Sequence, residues 1–297
     1  MKKEVLVKME NVNVKKVLPN GYKIVEIISN VKTYEDKEFV IKKVKKYALA
    51  DDNGVVVLKD VNGNLVPITY FDNYKVDKAG NIIIGVKKEG KEVYDRLIHE
   101  FDITETLHRT KTNYHLRNGI IWEDKESIWP SKTIDDIIPK EYYFNYGVIN
   151  KEGILSIYPV YDYACFANEN SCILGNLAGI KELKKLIYGY ADIITGEFIT
   201  PIEFKTTGKF YNKRAAVSVK RKGSVSPRFG YVDRDKVITD VNKDDQYAAG
   251  LHPMFHRATD FKKGVAKVCI VPGTILTRPS YIDVDVDGNH KGKAYTK

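Results

Sequence analysis

The sequence predicts an all-β fold, antiparallel β-hairpins stacked through repeats of about 41 residues with one or two short inserted helices. Three features predict it. Aromatic-Gly dipeptides stand at Tyr146-Gly147, Tyr188-Gly189 and Phe229-Gly230, 42 and 41 residues apart. Each opens a phrase of strand-type residues broken by a polar turn. The composition also favours strands: 20 of the 297 residues are Tyr, beside many Val and Ile, types that fit a pleated, half-buried surface.

With 43% hydrophobic and 29% charged residues, the chain is of the ordinary globular kind, long enough to bury a core in one large β-type domain or two modest ones. Its opening, MKKEVLVKMENVN, is no secretory signal, because Glu4, Lys8 and Glu10 interrupt any apolar core. No stretch reaches the roughly 18 to 20 apolar residues of a membrane helix. Cys165, Cys172 and Cys269 form no C-x-x-C pair and read as free thiols of a reducing compartment. The expected location is cytoplasmic, with no membrane partner.

Taken in order, residues 1–101 read as an N-terminal β-rich region. Its first 48 residues hold 12 Lys against 6 acids. LKDVNGNLVPITYFD (58–72) and VDKAGNIII (76–84) are strand-turn-strand phrases, faint copies of the later ones. KEVYDRLIHEF (91–101) sets Tyr94, Leu97, Ile98 and Phe101 on one helical face. Residues 102–145, with Trp122, Trp129 and the Asp135-Asp136 pair, show little periodicity and are expected to connect the two halves.

From 146 to 297 the repeats are clearer. YGVINKEGILSIYPVYDYA and YGYADIITGEFITPIEFKTTG each run from aromatic-Gly through a turn at Gly153 or Gly196 to an apolar run ending at Pro159 or Pro201. FGYVDRDKVITDV is the third opening. Between phrases, FYNKRAAVSVKRKG and FKKGVAKVCI place an aromatic, a polar step, an Ala and alternating Val, the pattern of a half-buried strand. IKELKKLI (180–187) sets Ile180, Leu183 and Leu186 on a helical face after Asn176 as a cap.

This series resembles the WG-repeat family of bacterial and phage-associated β-repeat proteins. The resemblance rests on Tyr146, Gly147, Ile149, Asn150, Gly153, Pro159, Tyr161 and Asp162, and again on Phe261, Gly264, Ala266 and Val268. The family's Trp is Tyr or Phe in all three copies, and the third has Asp235 and Lys236 in place of the turn Gly. The resemblance implies a repeat array with a binding role and no catalysis. A propeller is the alternative architecture, with no WD or kelch signature to support it.

The terminal DVDVDG has the spacing that opens a calcium loop, with Asp283, Asp285, Asp287 and Gly288. The twelfth position of such a loop is Ala294, which brings no carboxylate, so the segment is expected to be a strand and turn, Tyr281, Ile282 and Asp283 matching Tyr231, Val232 and Asp233. His252 and His256 are four apart, but Pro253 opposes a helix there. No metal, cofactor or catalytic residue is expected: there is no G-x-S-x-G, P-loop or G-x-G-x-x-G.

The formal charge is +9, and seven cations with no acid fall between Lys209 and Arg228. Lys213, Arg214, Lys220, Arg221, Lys222 and Arg228 interleave with Phe210 and Tyr211, as in grooves for single-stranded nucleic acid. The plainer reading is a solvated strand face. Three functions follow: a protein-binding scaffold, of a bacterium or phage and acting on a host component; a basic nucleic-acid binder; an enzyme of unrecognised type.

Overall fold

A computed structural model describes residues 12–35, 38–88, 114–117, 120–123, 132–133, 144–177, 186–220, 226–248, 251–272 and 278–296. The N-terminal strands are β1 (Val12–Val17), β2 (Lys23–Glu35), β3 (Glu38–Ala50), β4 (Lys59–Asp60), β5 (Asn73–Val76) and β6 (Ile82–Lys87). The middle of the chain gives β7 (Tyr114–Arg117), β8 (Ile120–Glu123), β9 (Lys132–Thr133), β10 (Phe144–Ile149) and β11 (Ile154–Tyr161). Then come β12 (Tyr163–Asn168), β13 (Ser171–Leu177), β14 (Leu186–Asp192), β15 (Thr206–Thr207), β16 (Arg214–Val219) and β17 (Arg228–Asp233). The last are β18 (Arg257–Ala258), β19 (Val265–Val271), β20 (Ser280–Asp285) and β21 (His290–Thr296). The fold is all-β; among the described residues the helical content is one 3-10 turn at Asp244–Gln246. The expected helix at 91–101 lies outside the described residues. So does most of the one at 180–187, whose last two residues, Leu186 and Ile187, begin β14.

Two compact units form, and neither is continuous in sequence. The first joins Met1–Lys87 to Tyr146–Val160, the second Lys88–Asn145 to Tyr161–Lys297. In the first unit, β1-β2-β3 is an antiparallel sheet, and β4-β11-β10-β6-β5 is a second sheet in which β4 runs parallel to β11. β6 and β10 are therefore neighbours although 56 residues, 88–143, separate them in sequence. Leu18, Ile24, Leu49, Leu58, Phe71, Ile82, Ile84, Ile149 and Leu155 make its core.

In the second unit the sheets are β12-β13-β14, β15-β16-β17, β18-β19-β20-β21 and the small β7-β8-β9. In the first three of these, each sheet takes its strands from two sequence repeats. β15 and β16 end the repeat that Tyr188 opens, and β17, which completes their sheet, carries Phe229-Gly230 of the next. β12 and β13 are completed in the same way by β14, and β18 and β19 by β20. Two strands alone are marginal in water, so each repeat needs its successor to close a sheet.

Each core between sheets is centred on a tyrosine from the aromatic-Gly-Tyr phrase. Tyr190 packs on Phe210 at 4.7 Å between ring centroids, and its hydroxyl donates to the Gly208 carbonyl at 2.6 Å. Tyr231 packs on Phe261 at 4.8 Å and donates to the Thr259 carbonyl at 2.7 Å. The buried polar tip is thus satisfied in both, and burial raises both phenol pKa values above the ordinary range. A buried ion pair, Lys88 Nζ to Asp162 at 2.6 Å, also lies in this unit.

Candidate binding surface

The repeat's motif residues turn out to be a packing device. Gly147, Gly189 and Gly230 lie where a second stretch of backbone passes so closely that no side chain fits. A Cβ at 147 would lie 2.7 Å from the Pro159 nitrogen, at 189 it would lie 2.6 Å from the Pro201 carbonyl oxygen, and at 230 it would lie 2.7 Å from the Pro253 nitrogen. The aromatic-Gly and the Pro of each phrase are therefore two sides of one contact. Pro253 had no such role in the sequence reading, because in this copy the excursion from Gly to Pro is 23 residues rather than 12.

The faint copy at 58–72 belongs to a repeat whose opening bears no aromatic-Gly mark in the sequence. Tyr47 and Phe71 exchange backbone hydrogen bonds, as do Tyr188 with Phe204 and Phe229 with Phe255. Tyr47-Ala48 is thus a degenerate aromatic-Gly, with Ala48 fully buried in the glycine's place. The terminal segment belongs to the series too, but two residues away from the expected alignment. Ile282 pairs with Val268 as Gly230 pairs with Val217, so Tyr281 stands for Phe229 and Asp285 for Asp233.

That register explains the calcium-like spacing. Asp285 accepts hydrogen bonds from the backbone N–H groups of Asp287 and Asn289 and pairs with Lys291 Nζ at 3.0 Å. The Lys291 contact, opposed by burial and helped by the Asn289 bonds, brings its carboxyl from an ordinary 3.8 to about 2. Asp60 holds Asn62 and Asn64 in the same way, and Asp77 holds Asn81. These carboxylates stabilise their own turns. Among the described residues no group of three or more His, Cys, Asp or Glu is arranged to hold a metal ion.

The chain returning from these turns exposes large apolar side chains. In the first unit Leu65 is 69% exposed and Val160 59%, with Val57, Val61 and Tyr158 also exposed. Tyr158 Oη donates to Asp60 Oδ2 at 3.2 Å, which brings it beside the turn that Val61 and Leu65 flank, and Val160 follows on the same face of β11. In the second unit Phe198 is 43% exposed, with Tyr161 edge-on to it at 6.2 Å and Ile194 in the same turn.

The six basic candidates separate. Lys213 pairs with Asp235 at 2.6 Å, while Arg214 pairs with Asp233 and donates from Nε to the Val286 carbonyl. Lys220 is exposed, and Arg221 and Lys222 lie outside the described residues. Arg228 meets His256. Phe210 is in the core and Tyr211 is exposed, so the two aromatics do not share one face. Of the cysteines, Cys172 is buried, which raises its thiol pKa and keeps it protonated; all three are free.

Fold and packing define a protein of interlocked β-repeats. The family model described as WG containing repeat matches residues 146–182 and 188–222, so these two stretches of the chain are WG-type repeats. No curated protein matches it. A crystal structure described as that of the eukaryotic initiation factor aligns over 97% of this chain and 55% of its own, at 6% identity and a TM-score of 0.36. The chain thus spans about half the length of that structure, and the likeness carries no argument. Among the described residues no helix is long and apolar enough to cross a membrane.

Proposed function

We propose that the protein is a non-catalytic scaffold that binds another protein through the apolar side chains exposed behind its repeat turns. The observation that carries this is that Leu65, Val61, Tyr158 and Val160 of the first unit expose large apolar groups to water on a β-framework. Exposed apolar groups held by packed strands suit recognition of a macromolecular surface. A bacterial or phage protein acting on a host component fits this reading.

The test is a pull-down from nuclease-treated lysate of the wild type beside a Leu65→Glu/Val160→Glu variant. Both substitutions fall on exposed positions and leave the core untouched. The scaffold reading expects one protein at stoichiometric level on the wild type and its loss from the variant. Equal recovery on both, or loss of every partner on nuclease treatment, contradicts it, and the second outcome favours the basic nucleic-acid binder. Nucleic acid remains the second reading on one observation, the exposed Lys220 beside the half-buried Arg228.

A further inference from the structure

Arg228 opens β17 and His256 follows the short 253–255 crossing. The backbone hydrogen bonds between Phe229 and Phe255 hold the two side chains together. A terminal guanidinium nitrogen of Arg228 lies against the His256 ring. Both residues are half-buried, and among the described residues no carboxylate meets either. Every other half-buried arginine of the repeat cores, Arg214 and Arg234, is paired with an aspartate.

A partly desolvated cation is ordinarily paired, because losing water without gaining a counter-charge is costly. Here the neighbour is an imidazole, whose pKa burial lowers and the guanidinium lowers further. The pair therefore stands one negative charge short. An arginine fork presents several N–H donors in a plane, which matches the oxygens of a tetrahedral oxyanion.

We propose that Arg228 and His256 form a binding site for a phosphate-type oxyanion. The anion bonds the free edge of the guanidinium and makes the imidazole a second donor by favouring its protonated form. The ligand class is a phosphoryl group, free or in a nucleic-acid backbone. This proposal does not rest on the exposed apolar residues of the proposed function and stands or falls independently of them.

The test follows the His256 ring protons by NMR through a pH titration in sodium chloride and in sodium phosphate at matched ionic strength. The signal is assigned by its loss in His256→Gln. The site predicts that phosphate moves the His256 midpoint upward by about half a pH unit, a roughly threefold preference for the protonated form. It also predicts that Arg228→Gln abolishes the difference. The same midpoint in both salts overturns the proposal, as does a shift that persists in Arg228→Gln or that acetate reproduces while phosphate does not. A labelled oligo(dT), added once the phosphate shift is established, separates the sources. Displacement by free phosphate assigns the site to a nucleic-acid backbone, and absence of oligonucleotide binding assigns it to a small anion.

Discussion

Glycine at 147, 189 and 230 and proline twelve or more residues later are one feature, a backbone crossing too close for a side chain. Gly189→Ala drives a Cβ into the Pro201 carbonyl and is expected to cost about 1–3 kcal/mol, the range for an overpacked site without room to relax. Denaturant unfolding checks this, and an unchanged midpoint would show that the crossing has slack. Asp285 makes a second prediction at this scale. Its folded pKa is depressed, so its contribution to stability is full above the ordinary 3.8 and is lost as pH falls towards about 2. A carboxyl-detected NMR titration should give that low midpoint, unmoved by calcium. A midpoint near 4, or one displaced by calcium, would return the segment to the metal reading.

Among the elements, the hairpin between Phe210 and Arg214 is less well suited to its sequence than its successor. Tyr211 and Arg214 exchange backbone bonds across Asn212 and Lys213, at φ 50° and 61°, as Lys262 and Val265 do across Lys263 and Gly264, at 52° and 79°. Such a turn wants positive φ at both central residues, and glycine meets that without steric strain. Lys213→Gly gives the earlier hairpin the residue of the later one. Relief of the left-handed conformation should outweigh the exposed Lys213–Asp235 pair, because solvent screens exposed ion pairs and they contribute little. The expected result is a higher melting temperature, and a lower one would mean that the ion pair governs the turn.

How much of this was legible depended on spacing. The three aromatic-Gly phrases, their turns and the Ala-Val strands followed from residue types at fixed intervals. Tyr47-Ala48 did not, because Ala fills the glycine's place without the mark that identifies it. Pro253 was hidden by its longer excursion, and the basic run concealed that Phe210 points into a core while Arg214 meets Asp233. Period-two alternation gives the faces of a strand but not which distant carboxylate meets its cations.

At the level of the whole molecule, the chain is organised by sheets that no single repeat completes. β15 and β16 rely on β17 from the next repeat, so a lesion in one repeat should be felt in the one before it. In the second unit such nearest-neighbour coupling ties each repeat to the next. The most direct measurement is amide hydrogen exchange by mass spectrometry on the full chain and on Gly230→Ala, whose Cβ would strike the 251–253 crossing. The interlocked array predicts that protection falls in Arg214–Val219 together with Arg228–Asp233. Loss confined to 228–255, with Arg214–Val219 as protected as in the wild type, would contradict it.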